Sequence, residues 1–70
     1  MEILAERLLT LRKERKLSRQ AVADAIKISV RSYQRYENAE REPTASVMVA
    51  LADFYGVTLD ELVGRTGSRT

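Results

Sequence analysis

Apolar residues recur along this chain at helical spacing, interrupted by residues that start and stop helices. Leu4, Leu8 and Leu11 fall on one face with Arg and Glu opposite, which predicts a first helix from about Ile3 to Lys16. Ser18 then stands as an N-cap before a second stripe of Val22, Ala23 and Ile26. Lys27-Ile28 forms a turn, and Ser29 caps a third helix that runs to about Asn38 with Tyr33 and Tyr36 on its inner face. Ala39 to Pro43 is a charged loop, and Pro43 disfavours helix at Glu42. Thr44 to Tyr55 reads as a fourth helix closed by Gly56 in a left-handed conformation. Thr58-Leu59-Asp60-Glu61 fits a capping box that opens a short fifth helix through about Val63. Residues 64–70 lack apolar periodicity and are expected to form a flexible tail, leaving residues 1–63 as the folded domain. There is no repeat, no low-complexity stretch and no β alternation, so the expected class is all-α with five helices.

Residues Leu17 to Asn38 thus form two short helices joined by a tight turn. This is the helix-turn-helix layout, which lays its second helix in the major groove of DNA. Composition supports this reading mainly by exclusion. Seventy residues make one domain, and 44% apolar content with a single Pro suits a compact helical fold. The chain has no Cys and no His, which removes thiol nucleophiles, disulfides, zinc clusters and imidazole catalysis. The segment Gly64-Arg65-Thr66-Gly67-Ser68 lacks the preceding strand and following helix that a phosphate loop needs, and no carboxylate pair converges in a predicted pocket. Hence the expectation is a protein that is not an enzyme and has no metal, cofactor or small-molecule ligand. No apolar run approaches the roughly 20 residues of a membrane span, and no signal-peptide pattern opens the chain, so the cytoplasm is expected.

A net charge of +2 conceals a segregated distribution. Residues 12–35 carry eight basic side chains against Glu14 and Asp24, a local +6, whereas residues 43–63 carry three acids and no base. Such segregation suits one face for a polyanion, although a solvated basic helix face would look the same. If Tyr33 and Tyr36 face the core, helical geometry puts Val30, Arg31, Gln34 and Arg35 on the opposite side of the third helix. Arginine can bind guanine O6 and N7 together, Val30 can pack on a thymine methyl, and Gln34 can pair with adenine. Arg19 and Gln20 open the second helix, where free N–H groups favour a phosphate, and Ser32, Asn38 and Arg41 are secondary phosphate candidates. The fourth helix carries a second apolar stripe of Val47, Ala50 and Phe54 beyond what one core face uses, which suggests a partner surface.

From about Arg7 to Val63 the chain resembles the phage-repressor type of helix-turn-helix family, which includes Cro and the lambdoid repressors. The match is carried by Leu11-Arg12, by Leu17-Ser18 opening the second helix with Ala23 in its middle, and by Ser29 opening the third. Arg35-Tyr36-Glu37-Asn38 closes that helix, and Arg41, Pro43 and the run Gly56-Val57-Thr58-Leu59-Asp60-Glu61-Leu62 follow in order. The resemblance implies a five-helix, lambda-repressor-like DNA-binding domain in which Val30, Arg31 and Arg35 touch base edges. It also implies a partly buried ion pair between Arg12 and Glu37, and a homodimer meeting near Phe54, Val57 and Leu59. Lys27 and Ala39 stand where the family commonly has Gly; a positive φ at either costs on the order of 1 kcal/mol.

The expected function is a sequence-specific regulator of transcription, a repressor that binds palindromic double-stranded DNA as a homodimer. The alternative is a protein-interaction module that keeps this scaffold without specific DNA affinity.

Overall fold

Four hydroxyl side chains start helices in this chain. Ser18, Ser29, Thr44 and Thr58 each have extended backbone, and each side-chain oxygen accepts from the backbone N–H three residues on. At Thr58 the box is complete, because Glu61 Oε1 also accepts from Thr58 N at 2.8 Å. These caps open α2 (Arg19–Ala25), α3 (Val30–Glu37), α4 (Ala45–Tyr55) and α5 (Leu59–Leu62), while α1 spans Glu2–Glu14. The computed structural model describes residues 2–65.

One device ends each of the five helices among the described residues. The residues at positions 16, 27, 39, 56 and 64 have left-handed backbone, with φ of 56°, 63°, 61°, 70° and 80°. Each time, the following N–H bonds to a carbonyl five residues back: Leu17 to Arg12, Ile28 to Ala23, Glu40 to Arg35, Val57 to Ala52 and Arg65 to Asp60. This is the Schellman closure, which satisfies the carbonyls a helix end leaves open. Three of the five positions are held by Lys16, Lys27 and Ala39, where a Cβ is strained. Gly64 has a second reason to be glycine, since a Cβ there would collide with Ile3. The residues after three closures, Leu17, Ile28 and Val57, tuck half-buried against the core and pin each turn to it.

The closure at Lys16 ends α1 two residues before the expected boundary. Gly64 and Arg65 of the expected tail take part in closing α5, and the rest of that stretch lies outside the described residues.

The core is built from Leu4, Leu8 and Leu11 of α1, Val22 and Ala23 of α2, Tyr33 and Tyr36 of α3, Leu51, Ala52 and Tyr55 of α4, and Leu62 of α5. Ile26, expected in the buried stripe of α2, is only half-buried. Two of the three core tyrosines meet at their polar ends, Tyr33 Oη lying 2.9 Å from Tyr55 Oη in a buried hydrogen bond between α3 and α4. Both hydroxyls would otherwise lose water without a partner. Burial, reinforced by that contact, raises the pKa of Tyr33, so the pair stays neutral. α3 is held from three sides: α2 and α1 pack on it, and the tyrosine pair fastens it to α4.

Candidate nucleic-acid interface

The inner face of α3 is fixed before the outer face can be used. Tyr33, Tyr36 and Glu37 are buried along one side. Glu37 is a charge placed in the interior, which is costly unless it is fully paired. Its partner is Arg12, whose Nε donates to Oε2 at 2.5 Å and whose Nη2 donates to Oε1 at 3.2 Å. Arg12 Nη1 donates to the Leu17 carbonyl at 2.9 Å, so this guanidinium also closes the α1–α2 turn. Arg19 adds a third donor, its Nε lying 3.1 Å from Glu37 Oε1. Burial pushes the Glu37 carboxyl up, but hydrogen bonds from Arg12 and Tyr33 and the charges of Arg12 and Arg19 outweigh it and hold the group below its ordinary value.

On the opposite side of α3, Arg31 and Gln34 are exposed while Val30 and Arg35 are half-buried. Arg31, Gln34 and Arg35 line a shallow concavity of about 250 Å³ together with Asn38 and Glu40. The described residues provide no hydrogen bond or ion pair to either guanidinium. Val30 sits at the helix start outside this concavity, half-buried against the core. Glu40 joins the rim because the Ala39 closure folds the chain back there, a placement that needs the three-dimensional turn and not just the α3 helix.

The remaining candidates are scattered. Gln20 is exposed and donates to Asp24 within α2 at 2.8 Å. The half-buried Ser32 accepts from Ser29 Oγ at 3.0 Å, and Arg41 is exposed in the loop.

The basic segment shrinks once side-chain partners are counted. Arg12 and Arg19 are engaged by Glu37. Arg15 donates to the carbonyls of Tyr55 at 2.7 Å and Leu11 at 3.3 Å, and its guanidinium lies 5.2 Å from the centre of the Tyr55 ring. Arg7, outside that segment, donates to the Glu61 carbonyl at 3.1 Å. Arg7, Arg12 and Arg15 therefore bind the ends of α4 and α5 and the buried carboxylate, so a count of charge overstates the free basic face.

On α4 and α5, the proposed contact residues Val47, Phe54 and Val57 are half-buried against the core, and Phe54 stands edge-on to Tyr55 with ring centres 5.0 Å apart. Leu59 is 45% exposed, and so is Val49 at 46%, a residue the apolar stripe read from the sequence omitted. Among the described residues no three His, Cys, Asp or Glu side chains group as metal ligands, and no helix is long and apolar enough to cross a membrane.

A family model described as helix-turn-helix matches residues 8–62. The HTH-type transcriptional regulator AnsR of Bacillus subtilis is 40% identical over 60 residues, covering 86% of this chain and 52% of that protein. The cryptic phage CTXphi transcriptional repressor RstR of Vibrio cholerae is 40% identical over 62 residues, covering 89% of this chain and 55% of the repressor. The chain thus spans about half the length of these relatives. A crystal structure of a transcriptional regulator from Listeria innocua superimposes with a TM-score of 0.84 at 28% identity, over 96% of this chain and 63% of that one. With the match running from α1 to α5, this chain belongs to the helix-turn-helix family, in its Xre-like, lambda-repressor-like form.

Proposed function

We propose that this chain is a sequence-specific, double-stranded DNA-binding regulator of transcription, a repressor acting in the cytoplasm. One observation carries the reading. α3 is locked on its inner face by two tyrosines and a paired carboxylate, and offers Arg31, Gln34 and Arg35 outward with neither guanidinium bound by the described residues. A rigid helix with unengaged planar donors suits the major groove, where each arginine takes a guanine and Gln34 an adenine. Val30 packs on a thymine methyl. Arg19, Gln20, Ser32, Asn38 and Arg41 take phosphates and set the register without reading sequence. The relatives' names, a transcriptional regulator and a phage repressor, support the same reading.

A homodimer completes it. Leu59 exposes apolar surface on α5, and Val47, Phe54 and Val57 are half-buried on α4 and the turn that joins it to α5. A twofold contact there would bury it and set two α3 helices on a palindromic site about one turn of DNA apart.

Selection from randomised duplexes at near-physiological salt tests both parts. The expected product is two symmetric half-sites about ten base pairs apart. A lone half-site would remove the dimer and keep the DNA function. No enrichment would favour a protein-interaction module, a reading suited to Glu40, whose carboxylate shares the concavity with the two arginines.

A further inference from the structure

The Glu37 carboxylate receives two guanidinium groups, and one positive charge is left over. Arg12 alone neutralises it, through bonds to both oxygens, and lies almost out of solvent, its side chain 10% exposed. Arg19 comes to the same Oε1 with only its Nε, 3.1 Å away, and its side chain stays 42% exposed. No other side chain among the described residues takes up the Arg19 charge. The cluster +, −, + is therefore anchored in the core at one end and uncompensated at the surface at the other. Guanidinium carries five N–H donors in a rigid plane, so holding the single Nε–H leaves the four on Nη1 and Nη2 for an anion. A flexible side chain would have to be ordered on binding; this one is already held.

We propose that Glu37 is a positioning residue for backbone recognition: it fixes Arg19 by Nε so that the outer nitrogens meet a DNA phosphate. This rests on the DNA-binding reading above and gives it a part that helix geometry alone does not. Arg19 joins the phosphate to the same carboxylate that fixes α3 to α1, so backbone contact and recognition-helix placement share one rigid element.

A double-mutant cycle of Arg19→Gln and Glu37→Gln tests it, with affinity measured on operator and unrelated duplexes across a salt series. Losing one phosphate contact lowers the slope of log affinity against log salt by about 1 and weakens binding roughly fivefold near 0.15 M salt, equally on every duplex. Arg19→Gln is expected to show that pattern. Glu37→Gln should show most of the loss in the Arg19 background and no further loss beside Arg19→Gln. An unchanged slope in Arg19→Gln would make Arg19 an internal pair only. An equal Glu37→Gln loss in both backgrounds would make Glu37 a support for the fold alone. Either result overturns the proposal. Should Glu37→Gln not fold, the wild-type Arg19 Nε–H signal decides by NMR: protection from solvent exchange is expected both free and on DNA, and its loss on DNA overturns the anchor. If the wild type binds no duplex at all, the DNA-binding reading fails first, and this inference fails with it.

Discussion

The arginines of α1 and of the turn that ends it look like those of α3 in the sequence and do opposite things in the structure. Arg7, Arg12 and Arg15 point their donors at carbonyls of α5 and α4, at the Leu17 carbonyl and at Glu37. Arg31 and Arg35 have no such partner among the described residues and share one concavity. Guanidinium groups bonded within the chain hold helices in place. Those left unengaged on a rigid helix are available to a ligand. Net charge along the chain does not separate the two kinds, but the fate of each N–H group does.

Substitutions in the two sets should differ in kind and size of effect. The largest is expected for Arg12→Ala, which strands the Glu37 carboxylate in the interior. It should cost about 3–5 kcal/mol of stability by chemical denaturation, toward the lower value because Arg19 still reaches Oε1. Next come Arg31→Ala and Arg35→Ala. Each should leave the melting temperature near that of the wild type yet cost roughly 1–3 kcal/mol of operator binding, relaxing preference at one base pair. Equal weakening on every duplex would reassign that arginine to a phosphate. Smaller still, Lys27→Gly and Ala39→Gly should each stabilise the fold by up to about 1 kcal/mol, since both positions have left-handed backbone. A loss of stability in either would mean that its side chain contributes more than its backbone strain costs.

The Glu37 carboxyl sits below its ordinary value of 4.5 in the folded chain, so the unfolded chain takes up that proton first as pH falls. Its contribution is whole above about pH 4.5 and is lost as pH drops through that value toward the folded one. Stability curves of wild type and Glu37→Gln should therefore converge on the acid side and diverge toward neutrality. Parallel curves would mean that the carboxylate is no better paired folded than unfolded.

What could be read from the sequence was local. Ser18, Ser29, Thr44 and Thr58 signal helix starts through bonds spanning three residues, and Gly56 signals a stop through its own backbone freedom. The periodicity of α3 separated Tyr33 and Tyr36 from Arg31 and Gln34 because both sets lie on one short helix. What escaped was carried by distance along the chain or by a residue acting against its preference. Arg15 reaches a carbonyl 40 residues away and Arg7 one 54 residues away, and neither bond leaves a mark in local spacing. Arg19 meets Glu37 across 18 residues, so its helix-start position suggested a phosphate and concealed its inward bond. The stop at Lys16 was missed because lysine does not announce a left-handed turn, and α1 was expected to run on. Val49 was passed over on a helix where almost every residue is apolar, since composition there cannot say which side faces out.

The division between the two sets of arginines is tested most directly by following arginine side-chain N–H signals by NMR while a selected duplex is added. Arg31 and Arg35 are expected to shift and gain protection on binding while Arg7, Arg12 and Arg15 keep their free-state signals. Shifts confined to Arg7, Arg12 and Arg15, with Arg31 and Arg35 unmoved, would contradict that division and place the DNA on another face of the molecule.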